Sequence, residues 1–337
     1  MTRGAWIAAA VLLAACGGSP GAAQATPTRQ TPGPLGDTWT GDGAVWHRAA
    51  GAGPTARYEA SLAYDSKRGV FVLFGGQTAK GSSDDTWTWD GKFWKQMVPA
   101  HKPPPRRAAG MAYDPAHQVV VLFGGLIPDQ FEGRPANDTW TWDGSDWVHV
   151  DTGPGPPPER QELSLTTTGD RIILFGGHYG NAAYFGDAWS WDGKTWSRVD
   201  IGPEPPGRAA AAVAWDPVDS SFFVVGGVGL NATAGPGALG TPLGDAWTLA
   251  GGRWTQMTGP GPGRLAFANA IWDRAGTRLV VLLGMRCPDP SNAAWAWDGK
   301  AWSQLANTPI PPRWGATVAQ NTDGKALLFG GSNEAGC

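Results

Sequence analysis

The ten-residue segment DTWTWDGKFW, residues 85–94, decides the fold of this chain. Its outer tryptophans, Trp87 and Trp94, are seven residues apart, and the same spacing recurs along the sequence. The full set of pairs is Trp39 and Trp46, Trp87 and Trp94, Trp140 and Trp147, Trp189 and Trp196, Trp247 and Trp254, and Trp295 and Trp302.

Each of these segments predicts a β-hairpin, because Asp-Gly lies between the tryptophans in every copy except the fifth, which has Gly251-Gly252. Both dipeptides accept positive φ at the two central positions of a type I′ turn. With that turn at Asp90 and Gly91, Trp87 lies directly opposite Trp94 on the paired strand.

A second half-motif alternates with the hairpins. It begins at an arginine, continues through a strand of small residues and ends in an apolar strand such as VFVLFGG, residues 70–76. The copies span residues 57–76, 106–125, 160–177, 208–227, 264–285 and 313–331, and the fifth ends in Gly284-Met285 rather than Gly-Gly. The combined repeat is about 50 residues long.

The arginine, a Tyr-Asp or Trp-Asp pair, the Gly-Gly and the paired tryptophans together resemble kelch repeats over residues 35–337. The resemblance implies one four-stranded blade per repeat, and hence an all-β, six-bladed β-propeller. The chain starts with a hairpin that lacks a first half and ends with a first half that lacks a hairpin. We therefore expect the N-terminal strands to complete the last blade and close the ring.

The N-terminus predicts an export signal. Residues 5–15 form an apolar run after Arg3, too short to span a bilayer, and the run leads into LAAC at residues 13–16. This ending resembles the bacterial lipobox, which implies a signal peptide over 1–16 and a lipid on Cys16; the alternative is an ordinary signal peptide that contains a cysteine. Residues 17–34 read as a flexible Gly/Pro/Ala tether to a propeller at 35–337. The predicted location is extracytoplasmic, with the protein lipid-anchored to a bacterial membrane at the cell surface or the periplasmic face.

The two remaining cysteines, Cys287 and Cys337, follow the second strand in neighbouring repeats and should emerge on the same face. A compartment outside the cytoplasm permits disulfides. We predict a Cys287–Cys337 bond, with two free thiols as the alternative.

Composition excludes several function classes. The net charge of -3 argues against a nucleic-acid partner, and 20 tryptophans exclude a disordered chain. The five histidines show no metal-ligand spacing, and no nucleophile elbow occurs, so neither a metal nor a cofactor is predicted. Enzymatic activity is left open, with a non-catalytic role favoured.

The long, varied loops at residues 126–137, 178–186, 228–244 and 285–292 should share one face of the propeller, where function is usually located. The six repeat arginines are expected to surround the channel mouth there, each paired with an aspartate two residues before a hairpin tryptophan. The fifth repeat has Ala293 in place of that aspartate, so Arg264 is a candidate for binding an anion unless Asp289 pairs with it.

Two glutamates form the second departure. Two residues after the arginine, most repeats place a small residue, namely Ala108, Ala210, Ala266 or Gly315, whereas Glu59 and Glu162 occupy that position in the first and third repeats. A carboxylate near a crowded axis must be paired or hydrated. Structural pairing with an arginine, ligand binding and acid–base chemistry are the alternatives. Further polar or stacking candidates nearby are Tyr58, Gln161, Trp314, His178, Tyr179 and Tyr184.

These features favour a binding module that presents its long-loop face to a protein or glycan. The alternative is a carbohydrate-active protein or lectin that binds a sugar at the channel mouth, because kelch propellers include galactose oxidase-like enzymes and the bacterial sialic-acid mutarotase. A galactose oxidase-like enzyme would need a cysteine for the Tyr–Cys cross-link of its copper site. Cys287 and Cys337 are predicted to pair with each other, so neither is left for that role. A mutarotase-like site would use Arg264 with Glu59 or Glu162. A structural envelope protein without a small ligand is the third alternative.

Overall fold

A computed structural model describes residues 31–130, 133–180, 183–199, 202–230 and 240–335. All of the regular elements in these ranges are β-strands. The described residues contain no helix that is long and apolar enough to cross a membrane. The predicted signal peptide, Cys16, most of the tether and Cys337 lie outside the described residues. The signal peptide, the lipid anchor and the Cys287–Cys337 disulfide therefore stay predictions.

Six four-stranded antiparallel sheets lie within the described ranges. Sheets 1 to 5 each take four strands in chain order. Their strands are Ser61–Asp65, Val70–Phe74, Thr86–Trp89 and Trp94–Met97 in sheet 1; Gly110–Asp114, Val119–Phe123, Thr139–Trp142 and Trp147–Val150 in sheet 2; Ser164–Thr168, Arg171–Phe175, Ala188–Trp191 and Trp196–Arg198 in sheet 3; Ala212–Asp216, Ser221–Val225, Ala246–Ala250 and Arg253–Gln256 in sheet 4; and Asn269–Asp273, Arg278–Leu282, Ala294–Trp297 and Trp302–Gln304 in sheet 5. The predicted all-β fold of repeated four-stranded sheets is confirmed.

Sheet 6 combines the two ends of the chain. Its order is Thr317–Gln320, Ala326–Phe329, Thr38–Gly41 and Trp46–Arg48, so the N-terminal hairpin pairs with the C-terminal strands. Trp39 is opposite Leu328 in this register, and Pro34 forms a β-bridge with Ser332. The two incomplete repeats thus share one sheet.

The first strands of the six sheets surround a central channel. Each first strand contacts the first strand of the next sheet, and Thr317–Gln320 contacts Ser61–Asp65 in turn. They line a cavity of about 560 Å³ that extends to the loops between the first and second strands. The channel therefore has two ends, and the loops that follow the second strands lie at the other one.

Short strands extend the loops at that other end. Arg57–Tyr58 pairs with Gln77–Thr78, which also pairs with Gly81–Ser82. The other short pairs are Leu126–Ile127 with Arg134–Pro135, His178–Tyr179 with Ala183–Tyr184, Val228–Gly229 with Thr241–Pro242, and Met285–Arg286 with Asp289–Pro290. These pairs fix the backbone of the predicted functional loops where they leave the sheets.

Hairpin tryptophans fill the spaces between sheets. Trp142 and Trp147 of sheet 2 are almost completely buried and pack with Phe74 of sheet 1. The Trp147 indole N–H also donates to Thr86 Oγ1 of sheet 1 at 2.9 Å. Trp94 and Trp196 make the same bond to a threonine of the preceding sheet. Each such tryptophan therefore stabilises the contact between two sheets as well as its own hairpin.

The predicted hairpin register was wrong in the Asp-Gly copies. Trp94 is opposite Trp89 rather than Trp87, and the turn has four residues. The Asp90 carboxylate accepts hydrogen bonds from the backbone N–H of Lys92 and Phe93, at 2.8 and 2.7 Å, so the aspartate caps a wider turn. The Gly251-Gly252 copy does form a two-residue turn, and both glycines have positive φ. Its tryptophans are not opposite each other either, because Trp254 pairs with Leu249.

Five repeat arginines are buried within the sheets. Arg106, for example, donates to both carboxylate oxygens of Asp138, at 2.6 and 2.7 Å, and to the Gly124 carbonyl. The equivalent described pairs are Arg57–Asp85, Arg160–Asp187, Arg208–Asp245 and Arg313–Asp37. The structure thus supports the structural interpretation of these pairs, and their guanidinium groups do not surround the mouth as predicted.

The assignment of Arg264 as the fifth repeat arginine was wrong. In the second repeat, the Arg106 carbonyl accepts a hydrogen bond from the backbone N–H of Gly76. In the fifth repeat, the equivalent bond from the Gly227 N–H goes to the Leu265 carbonyl, so Leu265 holds the arginine position. Leu265 is buried, whereas Arg264 is exposed. Within the described ranges, no ion pair joins Arg264 to Asp289 or to another residue. In this sheet Leu265 takes the place of the motif arginine and Ala293 takes the place of its aspartate. Neither charged residue of the motif is therefore left buried without its partner.

Candidate binding site at the channel mouth

A closed ring of six backbone hydrogen bonds narrows the channel at the loop end. The N–H of Ala108 donates to Glu59, that of Glu162 to Ala108, and so on around the axis until Glu59 donates to Gly315. The ring residues in order are Glu59, Ala108, Glu162, Ala210, Phe267 and Gly315, with N···O distances of 2.8 to 3.4 Å. Sequence analysis had placed Ala266 in this set, but the one-residue shift at Leu265 puts Phe267 there.

All six ring residues have positive φ, between 50° and 61°. This backbone conformation is unfavourable for residues with a Cβ atom, and it persists only where the surrounding structure determines it. The ring bonds and the short strands on either side provide that constraint. Side chains at these positions are therefore held firmly around the channel axis.

A small cavity of about 140 Å³ lies at the ring. Its charged lining comes from Glu59 and Glu162, and the remainder is mostly apolar, including Ala108, Ala210 and Phe267. A cavity of this size is smaller than those that hold drug-sized ligands, which start at about 300 Å³. It suits a small group or the end of a side chain.

Glu59 is a buried carboxyl with one strong partner. Its side chain is 7% exposed, and it accepts a hydrogen bond from Arg107 Nη1. Burial raises the pKa of Glu59 to about 7, although the Arg107 charge opposes this, and the nearby Glu162 charge raises the pKa further. Glu59 therefore exchanges a proton near neutral pH.

Glu162 faces His178. Glu162 Oε2 lies 3.6 Å from His178 Nε2, and His178 Nδ1 donates to the Gly180 carbonyl at 2.7 Å. The imidazole stacks on Tyr184, with 5.3 Å between ring centroids. Burial lowers the pKa of His178, but the Glu162 carboxylate, the Gly180 carbonyl and the Glu59 charge together raise it above its ordinary value.

Three aromatic side chains adjoin the carboxylates. Trp314 packs against Tyr58 and Phe267, with ring centroids 5.1 and 5.2 Å apart. The Trp314 indole N–H donates to the Glu334 carbonyl at 2.9 Å. Burial and the Glu59 charge raise the pKa of Tyr58, so its phenol stays protonated at neutral pH. This group offers an apolar surface beside the charged one.

The structure brings most of the predicted site residues together. Glu59 and Glu162 line the ring cavity, and His178 faces Glu162. Trp314 packs against Tyr58 and the ring residue Phe267, and Gln161 forms a backbone bridge with His178. Tyr179 instead lies in a short hairpin at the surface and is 43% exposed. Arg264 lies outside the cluster.

Arg107 was missed by sequence analysis. It follows Arg106 directly, and the sequence does not show which of two adjacent arginines takes the buried motif position. Its register could have identified it, because the residue after each motif position forms a backbone bridge to the loop that follows the second strand of its sheet. The full set of these residues is Tyr58, Arg107, Gln161, Ala209, Ala266 and Trp314.

The arrangement is suited to binding and to proton exchange. Two carboxyls, one histidine, one arginine and three aromatic rings converge at one opening. The described residues contain no group of three or more His, Cys, Asp or Glu that could hold a metal ion.

Comparison with known proteins agrees with the repeat structure. Residues 90–257 match the family described as the KLHDC2/KLHL20/DRC7 Kelch-repeats domain. No curated protein gives a significant match. The matched segment includes the Asp90 turn of sheet 1 and continues to the end of sheet 4. The chain is therefore an all-β protein of propeller type, in which residues 90–257 match a Kelch-repeats domain.

Proposed function

We propose that this protein is a propeller binding module that presents its channel mouth and the surrounding loops to a partner protein. The proposal includes the predicted lipid on Cys16 and an extracytoplasmic location. A Kelch-repeats domain favours protein binding as its role. The lipid would hold the module at a membrane surface, with residues 17–34 as the spacer.

One observation carries the proposal, namely that the mouth is polar and aromatic where the fold does not require it. In repeats 4 and 5 the residue after the motif position is Ala209 or Ala266, and both are buried. The fold is therefore satisfied by a small residue. The other four repeats place Tyr58, Arg107, Gln161 and Trp314 there, next to Glu59 and Glu162. Such one-sided enrichment is typical of a binding site grafted on a repetitive scaffold.

Site-specific photo-crosslinking in intact cells tests the proposal. A benzophenone amino acid at exposed Tyr179 should give a discrete adduct, because this residue lies at the loop end. The matched control is the same amino acid at Phe93, which is 67% exposed in an Asp-Gly turn. The Asp-Gly turns lie at the end of the sheets opposite to the long loops. For example, Gly144 in one of these turns is next to Arg68, which lies in the loop between the first and second strands of sheet 1. Equal adducts from both positions, or none from Tyr179, would contradict the proposal.

Cell fractionation tests the anchor in the same strain. The Cys16→Ala variant should leave the membrane fraction, because a lipid on Cys16 is the proposed attachment. If it stays with the membrane as the parent chain does, the anchor is wrong while the crosslinking result still stands.

A sugar ligand is the second candidate. The half-buried group of Tyr58, Trp314 and Phe267 lies next to ionisable carboxyls and favours a sugar, since sugars pair aromatic stacking with hydrogen bonds to polar groups. Thermal unfolding with neutral and acidic sugars distinguishes it from protein binding, because a saturating ligand raises the midpoint of unfolding.

A further inference from the structure

The central channel is bordered by the edges of strands rather than by their faces. In every sheet, five consecutive residues in and just before the first strand line the cavity of about 560 Å³, for example residues 60–64 in sheet 1 and 211–215 in sheet 4. Successive side chains of a β-strand point to opposite faces, so an unbroken run of lining residues means that the strand edge faces the channel. Backbone N–H and C=O groups therefore form much of the channel wall.

These inner edges need hydrogen-bond partners. Within the described ranges, each first strand pairs only with the second strand of its own sheet. Side chains of the next sheet bond a few of the edge groups. Gln320, for example, donates from Nε2 to the Trp272 carbonyl and accepts from the Trp272 N–H. The remaining backbone groups require partners from outside the sheets, so a ligand with hydroxyl groups on all sides suits this wall better than an apolar one.

The channel is open to a ligand at the end opposite to the long loops. At the loop end, the ring of six backbone hydrogen bonds narrows it. At the other end, the wall continues into the loops between the first and second strands, and four aromatic side chains line it two residues before those loops, namely Tyr64, Tyr113, Trp215 and Trp272. A volume of about 560 Å³ falls within the range of small-molecule sites, about 300–1,000 Å³.

One residue at this opening differs in kind from its equivalents. By strand register, the equivalent residues in sheets 1 to 6 are Ser66, Pro115, Gly169, Pro217, Arg274 and Thr322, and all six line the channel. Among the described residues that line the channel, only Arg274 carries a charge. The other sheets accept serine, proline, glycine or threonine at this position, so the fold does not require the arginine.

The guanidinium group of Arg274 is available to a ligand. Its side chain is exposed, and its stem reaches the loop of sheet 6, where a Cβ atom at Gly324 would lie 3.2 Å from Arg274 Cδ. Across the described part of the chain, Arg274 forms no ion pair with Asp323, which is next to that glycine, or with Asp273, which binds Arg278. An unpaired arginine of this kind is suited to a carboxylate or phosphate group.

We propose that the channel binds a small polyhydroxylated anion, a sugar-like body with one carboxylate or phosphate group, which enters at the end opposite to the long loops. The anionic group pairs with Arg274, and the hydroxyl groups bond to the inner edges of the first strands. Trp215 and Trp272 offer flat surfaces to the carbon atoms of the body. This site opens at the other end of the channel from the ring, so the inference goes beyond the proposed partner protein and does not depend on it.

Isothermal titration calorimetry of the full chain with D-glucuronate and with D-glucose 6-phosphate tests the proposal. We expect one or both to bind. Glucose and hexanoate should bind at least tenfold more weakly, because glucose lacks the charge and hexanoate lacks the hydroxyl groups. Tighter binding of glucuronate identifies the anionic group as a carboxylate, and tighter binding of glucose 6-phosphate identifies it as a phosphate. Failure of both ligands, or equal binding of glucose or hexanoate, would overturn the inference.

Variants of the arginine locate the anionic group. Arg274→Ala should weaken the binding tenfold or more, and Arg274→Lys should retain part of it because the charge is kept. The matched control is Arg253→Ala, which should bind as the parent chain does, because Arg253 is exposed in the outermost strand of sheet 4 and does not line the channel. Without ligand, all three variants should unfold at the midpoint of the parent chain. Equal binding by Arg274→Ala and the parent chain would contradict the proposed site.

Fluorine NMR of the chain labelled with 5-fluorotryptophan locates the body of the ligand. Each resonance is assigned by replacement of its tryptophan with phenylalanine. The resonances of Trp215 and Trp272 should shift on binding, whereas that of Trp314, which packs at the loop end, should not. A shift of Trp314 alone would place the sugar at the channel mouth and overturn the inference. Crosslinking from Tyr179 tests the partner protein separately, so the proposed function stands or falls independently of this ligand.

Discussion

Glu59 and His178 both hold their protons more tightly in the folded chain than when unfolded. The pKa of Glu59 is raised from 4.5 to about 7, and that of His178 is raised from 6.5. A raised pKa contributes stability at low pH that is lost as pH rises through the folded value. The aspartates paired with arginines have lowered pKa values and lose their contribution only as pH falls below about 4.

The first prediction concerns Glu59→Gln. In the parent chain the free energy of unfolding should fall between pH 4.5 and pH 7.5, and a shift of this size corresponds to about 3 kcal/mol for Glu59. Glutamine resembles the protonated carboxyl, so the variant should lose most of this slope and be more stable than the parent chain at pH 8. Urea unfolding at pH 4.5 and pH 8 measures it. Parallel pH profiles for the two proteins would show that Glu59 is not the titrating group.

At the scale of the element, sheets 1 to 4 and sheet 6 are each held by a buried arginine, its aspartate and a hairpin tryptophan. Trp140 donates its indole N–H to Asp138 at 2.7 Å, so one carboxylate serves two partners. In sheet 5, where Ala293 replaces the aspartate, Trp295 Nε1 is buried without a partner among the described residues. Sheet 5 thus tolerates the joint loss of both charges.

The second prediction uses sheet 5 as its template. Arg106→Leu alone leaves the Asp138 carboxylate without its cation and should cost about 3–5 kcal/mol of unfolding free energy. The double variant Arg106→Leu with Asp138→Ala reproduces the Leu265 and Ala293 pair and should cost less than the two single changes together. A double-mutant cycle from denaturant unfolding measures the coupling. If the losses of unfolding free energy in the two single variants simply add in the double variant, the Arg106–Asp138 pair contributes no coupling energy.

At the scale of the whole molecule, sheet 6 joins the two ends of the chain. Asp37 binds Arg313, and Trp39 and Trp46 are buried in the core that sheet 6 shares with sheet 5. The strand Ala326–Phe329 is buried because the N-terminal hairpin covers its edge. Without the hairpin, this apolar edge would face water or another chain.

The third prediction compares two truncations. The reference truncation starts at residue 31 and keeps all of the described residues. Removal of residues 1–49 takes away two buried tryptophans, each worth about 3–5 kcal/mol by comparison with Trp→Ala changes, and exposes the edge strand. The shorter chain should unfold at a much lower temperature and aggregate. Thermal unfolding followed by circular dichroism and light scattering measures both, and equal midpoints would show that sheet 6 does not need its N-terminal hairpin.

The repeats predicted β-hairpins at fixed spacing, and their resemblance to kelch repeats implied the four-stranded sheets and placed Glu59 and Glu162 near the axis. These features follow from local chain geometry, since periodic apolar segments and regular turns act within about ten residues. The hairpin register was not predictable in the same way. Asp90 prefers to accept two backbone N–H bonds rather than adopt positive φ, and that competition is decided only in the folded turn.

What the sequence by itself determined is the number and order of the repeats, because segments with the same pattern of apolar residues and turns fold to similar sheets. The tertiary structure decided which residues meet at the axis. It shifted the fifth motif from Arg264 to Leu265, placed Phe267 in the ring and joined Arg107 to Glu59 across two repeats. Those contacts are between residues far apart in the chain, so they depend on how the sheets pack around the channel and not on any local pattern.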